Sequence, residues 1–348
     1  MSIAFQPLKV TSVERDADAL IVGFEPKLAF TQGQYLTLRT DIDGEDVRRS
    51  YSICSGVDDG TLRVGVRLLP GGVFSGWAAR ALKPGDMLQV LPPQGRFFVP
   101  IDPAAQRHVL LVAAGSGITP MLSIAKTMLA REPHTRVTLI WGNRRLGSTM
   151  LRDEWQDLKD RYLSRLTLHH VFSRESQDAP LFHGRLDRER IGAFLRTLVP
   201  AATVDEAFVC GPAGMIDDAV AALAAAGLRQ SQIHVERFGD VHAAAAHHVE
   251  EGDADHARVS VVIDGLEREI EFKLSDPSIL EAARRAGLDV PYSCKAGVCS
   301  TCKGKLLEGQ VRMDRNFALT ADEVAQGFVL CCQSHPTTPK VVITLDQR

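Results

Sequence analysis

Five of the chain's seven cysteines fall between Cys294 and Cys332, in the pattern Cys294-x4-Cys299-x2-Cys302 followed by the adjacent pair Cys331-Cys332. Thiolates are soft ligands, and this x4-then-x2 spacing with a distant fourth cysteine is how a plant-type [2Fe–2S] cluster is held. Structural zinc sites use repeated C-x2-C pairs instead. Gly297 lies in the first interval, where a pliant backbone can turn N–H groups toward sulfur. Cys294, Cys299 and Cys302 follow from the spacing, whereas the chemistry leaves either Cys331 or Cys332 as the fourth ligand. Clustered cysteines in a long chain without an evident export signal point to metal binding rather than to a disulfide framework.

Such a cluster takes one electron at a time, so a partner that accepts a hydride and releases single electrons is expected upstream. Arg49-Ser50-Tyr51-Ser52 lies in a strand-like stretch, and Gly71-Gly72-Val73-Phe74-Ser75 forms a glycine-rich loop. Ala114-Gly115-Ser116-Gly117-Ile118-Thr119-Pro120 follows an apolar run of strand length and opens a helical stretch. Its glycines let backbone N–H groups approach a pyrophosphate, Thr119 can cap the helix, and Pro120 suits its first position. The pattern is G-x-G-x-x-P, which departs from the G-x-G-x-x-G fingerprint, and no ribose-binding acid stands about 20 residues further on. Ser173 and Arg174 follow a later strand. With Arg144 they could hold a 2′-phosphate, because guanidinium matches phosphate geometry. NADPH is therefore expected over NADH, which stays possible.

Arg49-x-Tyr51-Ser52 resembles the flavin motif of the ferredoxin–NADP reductase superfamily. The resemblance implies FAD, with Arg49 at its phosphates, Tyr51 packed on the isoalloxazine and Ser52 near N5. Gly71, Gly72, Val73 and Ser75 resemble the second flavin loop. Gly115, Gly117, Thr119 and Pro120 resemble the nicotinamide turn, and Cys210-Gly211-Pro212-Ala213-Gly214-Met215 the signature beside the nicotinamide ring. Glu236 and Phe238 match positions that approach the flavin. Ser52, Cys210 and Glu236 are thus the implied catalytic set, serving hydride transfer from nicotinamide C4 to flavin N5. The segment Pro291–Cys302 resembles the cluster loop of ferredoxin modules fused to flavin reductases. There the fourth ligand precedes Gln, as Cys332 precedes Gln333, which selects Cys332 and leaves Cys331 as a packing thiol.

The elements that must position these residues follow from periodicity. Residues 1–103 read as short strands broken by Asp43-Gly44, Asp58-Asp59-Gly60 and Lys83-Pro84-Gly85-Asp86, which suggests an antiparallel β-barrel for the flavin. Residues 104–240 alternate apolar strands (108–113, 137–141, 166–171, 207–210) with helices (120–130, 149–161, 187–198, 213–226), the mark of a doubly wound α/β nucleotide domain. Residues 241–256, with four histidines and no core pattern, read as a linker. Residues 257–348 begin with strands flanking Asp264-Gly265, a hairpin signal, then a helix at 278–286 and a last strand at 340–345, an α+β β-grasp unit.

The 348-residue chain is 45% hydrophobic and 24% charged, with formal net charge −3, a composition that argues against disorder. No basic stripe suggests nucleic acid, no apolar run is long enough for a bilayer, and no signal peptide is evident, so a cytoplasmic protein is expected. The domain order resembles the reductase components of multicomponent oxygenases, in particular those of phenylacetate degradation, with which Cys299-Ser300-Thr301-Cys302-Lys303 and the strand Phe328–Pro336 are shared. This implies a partner, the subunits of a terminal di-iron phenylacetyl-CoA epoxidase, that draws electrons from NADPH through FAD and the cluster. A steroid 9α-hydroxylase, a ring-hydroxylating dioxygenase, or a stand-alone diaphorase or redox sensor are the alternatives.

Overall fold

A computed structural model describes residues 4–239 and 249–347. The chain divides into two compact units, chiefly Gln6–Val47 with Tyr51–Arg237, and Phe238–Arg348.

In the first unit, strands β1 (Gln6–Asp16), β2 (Ala19–Glu25), β3 (Tyr35–Ile42), β4 (Glu45–Ser52), β5 (Leu62–Arg67) and β6 (Met87–Val90) form one sheet in the order β4-β3-β6-β1-β2-β5. The two edges meet where Ile53 bridges Val64 and Cys54 N–H donates to the Arg63 carbonyl, which closes the sheet into a barrel. Its core is built from alternating inward residues such as Val10, Val22, Leu36 and Val64. Helix α1 (Val73–Ala81) drives Phe74 and Ala78 into that core.

The nucleotide domain has five parallel strands, β7 (His108–Ala114), β8 (Arg136–Asn143), β9 (Leu166–Phe172), β10 (Glu206–Gly211) and β11 (Ile233–Arg237), in the order β11-β10-β7-β8-β9. Strand β7 explains its unbroken apolar run: Val109, Leu111 and Ala113 enter one core, while Leu110 and Val112 enter the other. Helices α2 (Ile118–Arg131) and α3 (Arg152–Arg161) cover the first face, and α4 (Arg188–Thr197) and α5 (Ala213–Ala225) the second. Asp187 caps α4 by accepting the Arg190 N–H at 2.8 Å.

The helix expected over 149–161 begins only at Arg152, because Leu151 turns the chain with φ +60°. That turn is held by the Asp16 carboxylate, which accepts the Leu151 N–H, and it buries Met150 and Leu151 in the core. Glu154 on α3 binds Arg63 of the barrel through two bonds of 3.0 and 2.7 Å and Lys126 of α2 at 2.9 Å. Burial pushes this carboxyl up, but the two cations outweigh it and hold it below its usual range.

The second unit is a five-stranded mixed sheet of β12 (Ala257–Ile263), β13 (Leu266–Phe272), β14 (Lys303–Glu308), β16 (Phe328–Leu330) and β18 (Lys340–Thr344), in the order β13-β12-β18-β14-β16. A short pair, β15 (Val311–Met313) with β17 (Ser334–Pro336), lies outside it. Asp264 (φ +52°) and Gly265 (φ +74°) make the two-residue turn that joins β12 to β13. Helix α6 (Ile279–Arg285), capped by Ser278, buries Ile279, Leu280, Ala282 and Ala283, and a short α7 (Ala321–Ala325) precedes β16. Helix α6 grasped by this sheet is the expected β-grasp arrangement.

Of the stretch read as a linker, 241–248 lies outside the described residues. The part from Glu250 to His256 is bonded into this unit. Arg312 pairs with Asp253 at 2.7 Å, and Ala254 N–H donates to the Pro336 carbonyl.

Candidate functional site

The strand order of the parallel sheet reverses between β7 and β10, the kind of switch point at which open α/β sheets bind ligands beyond the C-terminal ends of their strands. The turn after β7 is a single 3₁₀ turn, Gly115–Gly117, with Gly115 at φ +56°. A Cβ on Gly117 would lie 2.2 Å from the Cys210 carbonyl oxygen, so the turn presses backbone to backbone against β10. Gly211 is similarly confined by Met215 and Ala114. Thr119 does not cap α2. The helix begins at Ile118 without a side-chain cap, Thr119 donates instead to the Ser116 carbonyl at 2.9 Å, and Pro120 falls in the first turn rather than opening it. The Thr119 methyl group fills the space over Gly65 of β5, which is why Thr119 is 2% exposed.

Across this end of the sheet, Ala113, Cys210 and Glu236 are register partners on β7, β10 and β11. Cys210 is fully buried, and its thiol is pushed well above its ordinary value by burial and then by the Glu236 charge. Ser52 comes from the barrel, and its Oγ donates to Glu236 Oε2 at 3.2 Å. Glu236 keeps part of its surface exposed, yet the protein around its carboxyl pushes it up to about 8 against the Ser52 bond. The structure therefore brings Ser52, Cys210 and Glu236 to one place. Phe238, just past β11, is 39% exposed.

On the barrel, Tyr51 packs against Phe74 of α1 with ring centroids 5.4 Å apart. Arg49 is half-exposed, with Nη1 donating to the Arg48 carbonyl. Gly71 has φ +70°, and a Cβ on Gly72 would lie 2.4 Å from Ser75 Oγ. Ser75 Oγ accepts the Leu69 N–H at 3.3 Å, and Val73 is 52% exposed. The first turn of α1 carries no acid and no side-chain cap, which leaves N–H groups suited to a phosphate. Arg67, which the motifs did not single out, reaches the Gly115 turn: a Cβ there would lie 3.1 Å from Arg67 Nη1. Its signal was its place at the end of a strand leading into a glycine loop.

Further along the same end of the sheet, Ser173 and Arg174 continue β9 alongside Asn143 and Arg144. Ser173 N–H donates to the Asn143 carbonyl at 3.0 Å, and Arg174 N–H to the Arg144 carbonyl at 2.9 Å. The two arginines are thus backbone-bonded neighbours, both exposed. Asn143 between them and the core is 9% exposed, and its Nδ2 has no partner among the described residues.

In the second unit the thiols run as a chain of near neighbours, with Cys294 against both Cys299 and Cys332, and Cys332 against Cys302. Among the described residues no group of His, Cys, Asp or Glu closes around a single ion. A chain of four thiols suits two irons. Backbone N–H groups point at sulfur from Ala296 to Cys294 Sγ (3.3 Å) and from Cys332 to Cys302 Sγ (3.5 Å). Cys331 is 2% exposed within the apolar core, and its carbonyl accepts the Leu280 N–H. The donor set fits a [2Fe–2S] cluster.

The chain matches the oxidoreductase FAD-binding domain family over residues 9–99, the oxidoreductase NAD-binding domain family over 111–221, and the 2Fe-2S iron-sulfur cluster binding domain family over 261–337. It is 43% identical to a subunit of the 1,2-phenylacetyl-CoA epoxidase of Escherichia coli (strain K12), over 99% of this chain and 98% of that protein. It is 33% identical to the ferredoxin reductase component of 3-ketosteroid-9-alpha-monooxygenase from Mycobacterium tuberculosis (strain CDC 1551 / Oshkosh), over 92% of this chain and 87% of that one. Phthalate dioxygenase reductase shares the fold, with TM-score 0.60 and 24% identity over 98% of both chains. With its three cofactor-binding domains in the expected order, the chain belongs to the family of FAD- and [2Fe–2S]-containing NAD(P)H oxidoreductases that serve as reductase components of oxygenases.

Proposed function

We propose that this chain is the cytoplasmic reductase component of a phenylacetyl-CoA 1,2-epoxidase, passing electrons from NADPH through FAD and the cluster to a terminal di-iron oxygenase in phenylacetate degradation. The observation that carries this reading is the end-to-end match to a component of such an epoxidase, which spans both chains almost completely. No helix among the described residues is long and apolar enough to cross a membrane. Reconstitution tests the partner. Combining this chain with the oxygenase component of phenylacetyl-CoA epoxidase, NADPH, O2 and phenylacetyl-CoA is expected to give coupled epoxide. Product only with the oxygenase of a 3-ketosteroid 9α-monooxygenase, or with none, would overturn the assignment.

When bound, the three groups supply a hydride donor, an acceptor that divides the electron pair, and a one-electron exit. In this reading Arg49 and the turn Gly71-Gly72-Val73 with Ser75 would hold FAD phosphates, and Tyr51 would pack on the ring. Gly115, Gly117, Thr119, Pro120, Cys210 and Gly211 shape the nicotinamide crevice. The fully buried Cys210 thiol stays neutral and packs as an apolar wall. Ser52 and Glu236 together place one hydroxyl and one neutral carboxyl at the reacting face, where they can hold a proton without adding charge. Ionisation of Glu236 would put a negative charge at the face where this reading seats the flavin ring, opposing its acceptance of electrons. Flavin reduction by NADPH is therefore expected to slow as pH rises through about 8. Glu236→Gln, neutral and of the same shape, should show a flat profile there, and an unchanged inflection in the variant would remove Glu236 from this role. The same burial makes the fold lose stability as pH rises from 4.5 to about 8, because unfolding releases Glu236 to ionise.

The paired arginines Arg144 and Arg174, with Ser173, are the proposed seat of the 2′-phosphate. Arg174→Ala should raise KM for NADPH about tenfold, the loss of one charge-assisted phosphate contact, and leave KM for NADH nearly unchanged. Equal effects on both nucleotides would defeat the assignment. Cys294, Cys299, Cys302 and Cys332 are the proposed cluster ligands. Cys332→Ser should abolish the iron–sulfur absorption and EPR signal while Cys331→Ser keeps both. The reverse outcome would exchange the two roles.

A further inference from the structure

Gln333 follows the proposed fourth ligand and is 1% exposed. Its Nε2 lies 3.0 Å from the Lys295 carbonyl oxygen, 2.8 Å from the Cys332 carbonyl oxygen and 3.6 Å from Cys332 Sγ. All three partners are acceptors and the amide nitrogen carries two hydrogens, so the hydrogen that reaches Cys332 Sγ is shared with a carbonyl oxygen. Turning the amide over would set Oε1 against two carbonyl oxygens, so the partners fix its orientation. In the orientation adopted, Oε1 is buried without a partner among the described residues, which costs free energy. The site accepts an orphaned acceptor in order to aim a donor at the cluster loop.

The loop is shaped around this side chain. Lys295 has φ +52° and Gly297 φ +74°, left-handed conformations that turn the Lys295 carbonyl toward Gln333. A Cβ on Gly297 would meet Gln333 Cγ at 3.2 Å and the Arg315 carbonyl oxygen at 3.0 Å. The Gln333 backbone is itself held, because its carbonyl accepts the Asp314 N–H at 2.9 Å. One carboxamide therefore ties the loop that follows Cys294 to the segment that carries Cys332.

We infer that Gln333 is a positioning residue of the cluster, one that pins the Lys295 carbonyl and the Cys332 thiolate to a common point and donates an N–H to Cys332 sulfur. A donor on a ligand sulfur favours the more negative, reduced cluster and so raises its potential. This rests on the reading of Cys332 as a ligand. The chain's one-electron exit is then tuned by a side chain that touches no iron.

EPR-monitored redox titration of the intact, cluster-loaded chain tests the inference. In Gln333→Leu the reduced-to-oxidised ratio of the cluster at a fixed poise should fall about tenfold, about 59 mV for one electron, while the flavin titrates as before. Gln333→Glu, which turns an acceptor toward the sulfur, should fall further. A loaded Gln333→Leu chain titrating with the wild type would overturn the inference. A second measurement needs no variant: pulsed EPR on the reduced wild-type chain carrying ¹⁵N in its glutamine side chains should show a weak ¹⁵N coupling. Its absence would overturn the Sγ contact even if both variants fail to assemble a cluster. A wild-type chain that takes up no [2Fe–2S] cluster would instead overturn the cluster reading, and this inference with it.

Discussion

The contact between the Gly115–Gly117 turn and the Cys210 carbonyl governs how Ser52, Cys210 and Glu236 come together. Because no side chain separates the turn from β10, the two strands at the switch point end on one shared backbone surface. The next strand across, β11, then presents Glu236 beside Cys210, within reach of Ser52 from the barrel. Thr119 seated over Gly65 and Arg67 beside Gly115 complete the join, so barrel and nucleotide sheet meet at small residues on both sides. A side chain at Gly117 would have to displace the Cys210 and Gly211 backbone, because a Cβ there would lie 2.2 Å from the Cys210 carbonyl oxygen.

Much of this was legible in the sequence because it rests on strong periodic or covalent signals. The continuous run 108–113 announced a strand buried on both faces, and β7 does alternate between two cores. Asp264-Gly265 announced its hairpin because both positions need positive φ. The x4-x2 cysteine spacing announced thiols that fold close together. The residues of the flavin and nucleotide motifs came from resemblance, since a short Arg-x-Tyr-Ser in a strand has no periodic signal of its own.

What stayed hidden depends on tertiary contacts. Thr119 and Pro120 have the composition of a helix start, but the preceding glycines already form a 3₁₀ turn, so the helix begins two residues earlier and Thr119 serves the barrel contact. Leu151 is an ordinary helix former, yet the distant Asp16 carboxylate holds it in a left-handed turn. Strands β1, β6 and β14 to β17 are short or irregular in pattern and exist because neighbours supply their partners. Arg67 and Asn143 are isolated polar residues whose significance is purely their position at the crevice.

The cluster loop contains three left-handed residues in six, Lys295, Gly297 and Ser300, and two of them bear side chains. Each such non-glycine residue costs about 1 kcal/mol or more relative to a relaxed backbone. The surrounding sheet has an apolar core of its own, drawn largely from strands and helix outside the loop. In the loaded protein, metal–sulfur bonds would offset the cost of these backbone conformations, so the loop and its cluster would support one another.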